Sequence, residues 1–314
     1  MLAVLIPFAF VVALPPSNET ARYQLDGDLH LTPAIAHWAA GLDGSNVTRG
    51  EVDASAQLQM TLFLQRVHDD DAPPALQPFL QRVAQFRVAV GAHVGFSNIG
   101  DSDDPIAQRN DGGPIVHAAI DGYVGRYLYL AAGVGYQLQH RWTDEGSSEN
   151  VHEPSVDVAI GARFGDVRIA AVGDWILVAG DEGDGGQMGD VGLRAHAVIR
   201  HHIELDGGAE LRLWPSESRK LGMGGGGDLS ATFWIARRLG LGIAGFYRQG
   251  FGSLYGIQTD TQAGGALSIQ YWLSARTAVS FAYRMTWEPS PAEDSPETRI
   301  DLGFMLRLTF RPKS

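Results

Sequence analysis

Apolar and polar residues alternate along most of this chain, and this period of two constrains the fold more than any other feature of the sequence. In the last such segment, 299–311, one face consists of Ile300, Leu302, Phe304, Leu306, Leu308 and Phe310. Only Met305 adds an apolar side chain of comparable size to the opposite face. After residue 20 no long segment keeps the 3.6-residue period of an amphipathic helix, whereas alternation is the pattern of a strand with one apolar side. The chain is therefore predicted to be all-β.

Fourteen segments carry this pattern and are predicted strands. They span residues 23–32, 52–65, 86–97, 114–124, 127–141, 156–164, 167–179, 191–200, 202–214, 228–236, 239–248, 266–274, 277–287 and 299–311. After residue 97 their connections alternate between short turns, at 125–126, 165–166, 201, 237–238 and 275–276, and long polar loops. An even number of strands of about ten residues, with short turns at one end and long loops at the other, is typical of a transmembrane antiparallel up-and-down β-barrel.

One connection, at 66–85, does not fit this scheme, because it is acidic, contains prolines and is too long for a periplasmic turn. It is consistent with a short amphipathic helix that uses Leu76, Phe79 and Leu80, or with a cap over the periplasmic mouth. It also allows residues 23–65 to lie outside a barrel of twelve strands. Fourteen strands are therefore predicted, with twelve as the alternative.

The N-terminus carries one continuous apolar run, Leu2–Leu14. At 13 residues it is shorter than the roughly 20 that a membrane-spanning helix needs, and it suits the apolar core of a signal peptide. Residues 1–20 are therefore predicted to be a signal segment, and residues 21–314 a single barrel domain.

A soluble β-sandwich or propeller would also contain many alternating strands. Two observations weigh against it. Many of the segments exceed the usual strand length of about five or six residues, and arginines and carboxylates lie in the middle of the polar faces as well as at their ends. In a closed barrel the polar face lines a lumen, and no sheet edge is left unpaired in hydrocarbon.

With this pattern, residues 23–311 resemble the outer-membrane β-barrel proteins of Gram-negative bacteria, of the porin-like kind. The resemblance implies an outer-membrane location with both termini in the periplasm. It also implies contact with membrane lipid and lipopolysaccharide, and insertion by the barrel-assembly machinery. Members of this class often end in an aromatic residue, whereas here four residues follow Phe310. The resemblance is not expected to extend to energy-coupled receptors or fatty-acid transporter barrels, whose plug domain or hatch precedes the first strand.

Composition excludes several function classes. The net charge of −12 and the pI of about 5.2 argue against nucleic acid as a partner, because such binding needs a basic surface. The chain has no cysteine, so disulfides, thiolate metal sites and a cysteine nucleophile are excluded. The seven long connections hold 20 acidic and 4 basic residues. This excess of acid is consistent with simple solubility of exposed loops, or with a rim that repels anions and collects cations.

The predicted inner face mixes arginines with carboxylates. The candidate pore-lining residues are Arg87, Arg163, Arg168, Asp174, Arg194, Arg200, Glu204, Glu210, Arg212, Arg284 and Arg307. They could pair across adjacent strands and stiffen the wall, or form a constriction that sets a weak ion preference. No catalytic or metal-ligating motif is recognisable, and no cofactor is expected.

The function predicted from these observations is a passive, porin-like channel for small polar solutes. The alternative is a barrel whose lumen is closed by its own side chains and loops, with a structural, adhesion or surface-binding role. An enzyme is the least favoured interpretation, and the sequence leaves the oligomeric state open.

Overall fold

The computed structural model describes residues 20–39, 46–68, 71–100, 109–143, 148–180, 185–215, 221–251, 253–254, 257–258, 262–289 and 298–312. The strands before the single helix α1 (Gln77–Leu80) are β1 (Thr20–Ala39) and β2 (Asn46–His68). The strands that follow are β3 (Gln85–Gly100), β4 (Arg109–Val124), β5 (Leu128–Thr143), β6 (Ser148–Phe164), β7 (Val167–Gly180), β8 (Gly185–Ile199), β9 (Ile203–Pro215), β10 (Leu221–Ala236), β11 (Leu239–Phe251), β12 (Ser253–Leu254), β13 (Ile257–Gln258), β14 (Gln262–Trp272), β15 (Thr277–Pro289) and β16 (Thr298–Phe310).

Fourteen of these strands form one closed antiparallel barrel. Each pairs with the next barrel strand along the chain, and β1 closes the barrel against β16, with Leu25 opposite Phe310. Strands β12 and β13 form a separate two-stranded hairpin. The predicted all-β class and the count of fourteen strands are confirmed. The twelve-strand alternative is wrong, because β1 and β2 are paired members of the wall.

The short connections lie where the sequence predicts them, at 125–127, 165–166, 200–202, 237–238 and 273–276. Gly125 and Gly165 adopt positive φ angles of 65° and 61°, which glycine reaches without steric cost in a tight hairpin turn. The described ends of the chain, Thr20 and residues 311–312, lie at this same end of the barrel, which we call the short-turn end. The predicted signal segment lies outside the described residues except for Thr20, which begins β1.

Large apolar side chains cover the outer face of the barrel and are exposed there. The most exposed include Val124, Ile160, Phe164, Leu193, Leu229, Ile235 and Leu267. Soluble monomers rarely expose an apolar patch of more than a few hundred Å², so this surface suits the hydrocarbon of a bilayer. Closure of the sheet also leaves no unpaired edge among the strands of the wall. Within the described residues, no helix is long and apolar enough to span a membrane.

The connection between β2 and β3 folds into the barrel. We call its described part, residues 71–84, the plug. The C-terminal end of the plug is hydrogen-bonded to β2. The Gln81 side chain donates to the His68 carbonyl at 2.6 Å and accepts from the His68 N–H at 2.8 Å. Next to this pair, the Leu64 N–H donates to the Ala84 carbonyl at 2.8 Å. The middle of the plug, which includes α1, extends across the lumen toward other strands of the wall.

Candidate functional site

The plug crosses the lumen at the short-turn end. Leu76 is 1% exposed and packs in an apolar pocket formed by Val198, Trp234, Trp272 and Ala278. These four residues belong to β8, β10, β14 and β15, none of which is adjacent to β2 or β3 in the barrel. Burying a leucine side chain contributes about 1.5–3 kcal/mol. The predicted amphipathic segment thus exists, and its apolar side faces the inner wall.

Arg163 on β6 fixes the second half of the plug. Its guanidinium donates to the carbonyls of Phe79 and Leu80, and its Nε donates to the Gly165 carbonyl at 2.7 Å. The side chain is 1% exposed, and the Asp166 carboxylate at 3.7 Å supplies an opposite charge. A buried guanidinium is costly unless its donors are satisfied. The plug carbonyls satisfy donors of Arg163, so these contacts stabilise both the buried arginine and the docked plug.

Two further arginines hold the first half of the plug by the same kind of contact. Arg237, in the turn between β10 and β11, donates to the Ala72 carbonyl at 3.2 Å. Arg311, after β16, donates to the Pro74 carbonyl at 2.9 Å and to the Gln77 side-chain oxygen at 3.5 Å. All three arginines bind main-chain carbonyls, so these contacts depend on the backbone conformation of the plug and not on most of its side chains. A hydrogen bond with one charged partner contributes about 1.5–3 kcal/mol.

Phe79 lies among cationic and aromatic groups of the wall. The guanidinium carbons of Arg163 and Arg168 lie 4.1 and 5.7 Å from the centre of its ring. The His196 ring meets it edge to face, with 4.2 Å between centroids. Arg168 also lies over the ring of Tyr129 at 4.4 Å. Such cation–π contacts contribute about 0.5–2 kcal/mol each, so the plug is held by packing, hydrogen bonds and ring contacts together.

Elsewhere on the inner wall, acidic and basic side chains pair with one another, either between adjacent strands or across one intervening strand. The pairs shorter than 3.2 Å are Arg87 with Asp121 (2.8 Å), Arg194 with Asp206 (2.8 Å) and Asp228 (3.1 Å), Arg212 with Asp190 (2.7 Å), Arg248 with Glu210 (3.1 Å), Arg307 with Asp28 (2.7 Å) and His117 with Asp157 (2.9 Å). Most members are partly exposed in the lumen, so each pair contributes about 0–1 kcal/mol. The wall is therefore lined by polar, mostly neutralised groups.

Three aspartates interrupt this balance at facing positions of β6, β7 and β8. Asp174 lies directly opposite Asp157 on one side and Asp190 on the other. The outer two have partners, because Asp157 contacts His117 and both oxygens of Asp190 accept from Arg212. One carboxylate oxygen of Asp174 is buried and has no hydrogen-bond partner among the described residues. Like charges that face each other across strands destabilise a sheet.

Replacing this central carboxylate should therefore stabilise the barrel. For Asp174→Asn we expect the free energy of unfolding to rise by about 1 kcal/mol, measured from urea unfolding in detergent. The matched control is Asp28→Asn, which removes a charge that accepts two hydrogen bonds from Arg307 and should lower the same free energy. An Asp174→Asn variant that is no more stable than the wild type would refute the repulsion at Asp174.

The structure places ten of the eleven candidate pore-lining residues on the inner face of barrel strands. These ten are Arg87, Arg163, Arg168, Asp174, Arg194, Glu204, Glu210, Arg212, Arg284 and Arg307. Arg163 is covered by the plug, Glu204 lies 3.7 Å from His196, and Arg284 stacks over Phe246 at 4.4 Å. Whether they line a conducting pore stays a prediction.

Arg200 is the exception and corrects the sequence interpretation. It lies exposed in the turn between β8 and β9, with a positive φ of 50°, and not on the inner face. The alternation of β8 continues in phase into residue 200, but the strand ends at Ile199 because the hairpin turn takes three residues. Periodicity alone could not separate the last strand residue from the first turn residue.

Sequence reasoning also missed functional residues. The sequence pattern leaves Asp190 outside the predicted strand 191–200, because the glycine-rich start of β8 has too few apolar residues to display alternation. Arg237 and Arg311 gave no sign of their role, since they bind the plug through contacts distant in sequence. Trp234 and Trp272 face inward and pack against the plug. In the described part of the chain, no group of three or more potential ligands could hold a metal ion.

No protein family and no curated protein sequence matches the chain, whereas solved structures do. A mutant of the monoaromatic hydrocarbon channel TodX is 8% identical with a TM-score of 0.64, covering 93% of this chain and 91% of that one. The toluene transporter TodX of P. putida is 8% identical with a TM-score of 0.60, over 93% and 90%. An outer membrane channel from Pseudomonas putida F1 is 11% identical with a TM-score of 0.51, over 95% and 100%. At these identities the likeness concerns the fold, which is that of an outer-membrane β-barrel.

Proposed function

We propose that the protein is an outer-membrane channel for small polar solutes, and that its plug closes the short-turn end at rest. The observation that carries this proposal is the plug itself. It crosses the lumen and is held by Arg163, Arg237 and Arg311, which come from three separate parts of the wall. Passage of a solute through this end then requires the plug to move. The pattern differs from a porin that is open at all times.

The lumen supports polar solutes. Ion pairs and other polar side chains line the inner wall, and such groups exchange contacts with hydrated solutes more readily than with hydrocarbon. The solved structures that the chain resembles are channels and a transporter, which supports a transport role over catalysis. Two of them are described as acting on monoaromatic hydrocarbon or toluene. We propose the polar class for this chain because paired acidic and basic side chains line its own inner wall.

A second candidate is the closed barrel with a structural, adhesion or surface-binding role. The same plug favours it, since a lumen occupied by its own chain needs no solute. The two candidates differ in one property: the channel opens, and the structural barrel does not. Under the channel proposal the short-turn end and both termini face the periplasm. Lipopolysaccharide and the barrel-assembly machinery stay predicted partners.

Ion selectivity of single channels tests the proposal. We expect the refolded protein in a planar bilayer to give intermittent conductance steps. The double variant Arg194→Ala/Arg212→Ala removes two lumen cations, so its reversal potential in a salt gradient should shift toward cation preference. The matched control Arg194→Lys/Arg212→Lys keeps both charges and should retain the wild-type preference.

The outcome that contradicts the channel is equally clear. A protein that is folded and inserted, as judged by heat-modifiable migration, but silent over long recordings would support the closed structural barrel. Steps whose selectivity is unchanged in Arg194→Ala/Arg212→Ala would mean that ions do not pass along this wall.

A further inference from the structure

Arginines concentrate at the short-turn end of the barrel, outside the lumen. Arg22 near the start of β1 is exposed there, and so are five arginines that we call the arginine collar: Arg66, Arg126, Arg200, Arg237 and Arg238. Arg66 follows the exposed Leu64 on the outer face of β2, and the other four lie in hairpin turns. Of the described turn and plug residues at this end, only Asp71 and Asp166 carry a carboxylate. The end therefore has a strong excess of positive charge.

Three members of the collar have no partner in the described part of the chain. The side chains of Arg66, Arg126 and Arg200 make no hydrogen bond and no ion pair there, whereas Arg237 holds the plug. Stability and plug attachment therefore do not require these three charges. Their donors are free for an external acceptor.

The collar lies next to the end of the apolar outer surface. Tyr127 is exposed beside Arg126, Ile199 beside Arg200 and Ile235 close to Arg237. Aromatic and aliphatic side chains that end at a turn mark the boundary between hydrocarbon and head groups. Guanidinium groups just beyond that boundary lie at the depth of lipid phosphates, to which arginine donates in a bidentate manner.

We propose that the arginine collar binds the head groups of anionic phospholipids in the leaflet that surrounds the short-turn end. This rests on the membrane location proposed above. The collar members come from the end of β2 and from the β4–β5, β8–β9 and β10–β11 turns, which are spread around the barrel. A surrounding leaflet contacts such a ring at every position, whereas a single acidic protein would need one contiguous patch. Basic groups near an anionic membrane surface each gain attraction from it.

The test compares the lipids that the full chain retains. The protein is reconstituted in equal amounts of phosphatidylcholine and phosphatidylglycerol, extracted in mild detergent, and its bound lipids are counted by native mass spectrometry. We expect the wild type to enrich phosphatidylglycerol. In the variant Arg66→Gln/Arg126→Gln/Arg200→Gln, the ratio of bound phosphatidylglycerol to bound phosphatidylcholine should fall by about fivefold for each head group that loses its arginine. The matched variant with lysine at the same three positions keeps the charge and should retain most of the enrichment.

Insertion into vesicles of phosphatidylcholine alone separates this proposal from the proposed function. Heat-modifiable migration there, together with equal retention of the two lipids by the wild type, would overturn the collar and leave the membrane barrel standing. An unchanged preference in the glutamine variant would also overturn it. Failure of the wild type to insert into either lipid would overturn the proposed function, and the collar with it.

Discussion

A barrel whose residues 72–80 are replaced by a glycine–serine linker of equal length should conduct ions almost continuously. The replaced residues include Leu76, which fills the pocket at Trp234 and Trp272, and the ring of Phe79. Arg237 and Arg311 bind main-chain carbonyls of this segment, which a linker also carries, so the expected effect rests on the lost side chains. A flexible linker loses the apolar anchor and the ring contacts, so its conformational entropy favours leaving the lumen. In planar bilayers we expect long-lived open steps in place of intermittent ones.

The barrel should survive this replacement, because the wall hydrogen bonds of β2 and β3 do not involve residues 72–80. Heat-modifiable migration of the variant provides that check. The control is Leu193→Ala, which shortens a leucine that is 62% exposed on the outer face and should leave conductance unchanged. If the linker variant were folded but conducted no more than the wild type, the plug would not be the barrier.

The second large effect is expected for Arg163→Ala. This substitution removes the donors to the Phe79 and Leu80 carbonyls and the guanidinium 4.1 Å from the Phe79 ring. Hydrogen bonds from a charged donor contribute about 1.5–3 kcal/mol each, and every 1.4 kcal/mol is about tenfold in an equilibrium. We expect the open probability in single-channel records to rise roughly tenfold to a hundredfold.

Arg307→Ala is the matched control for this prediction. Arg307 also faces the lumen and donates two hydrogen bonds, but to Asp28 on the wall and not to the plug. It should lower the stability of the barrel while leaving the open probability near that of the wild type. Equal open probabilities in Arg163→Ala and Arg307→Ala would show that Arg163 does not hold the plug closed.

The strand pattern of this barrel could be predicted because each strand separates an apolar outer face from a polar inner face. The alternation at Ile300 through Phe310 is a direct consequence of that separation. The alternation is weaker at the long-loop ends. The strands there extend beyond the hydrocarbon of the membrane, so their outward-facing side chains need not be apolar. For the same reason the glycine-rich start of β8, which includes Asp190, shows no strand pattern in the sequence.

The site depends on contacts that sequence distance conceals. Composition and prolines marked 66–85 as unusual, and Leu76, Phe79 and Leu80 were recognisable as one apolar set. Their docking partners could not be found, because Arg163 on β6 and Arg311 after β16 are distant from the plug in sequence and approach it only in the closed barrel. A main-chain carbonyl acceptor also leaves no residue preference in the sequence. The direction in which the plug folds is therefore visible only in three dimensions.

The most direct test of the central claim is to lock the plug to the wall during a single-channel recording. The chain has no cysteine, so Phe79→Cys/His196→Cys introduces one pair, at positions whose rings lie 4.2 Å apart. A short, reducible bis-thiosulfonate cross-linker should abolish the conductance steps of this variant, and reduction with dithiothreitol should restore them. Steps that continue unchanged with the pair fully cross-linked would contradict the claim that movement of the plug opens the channel.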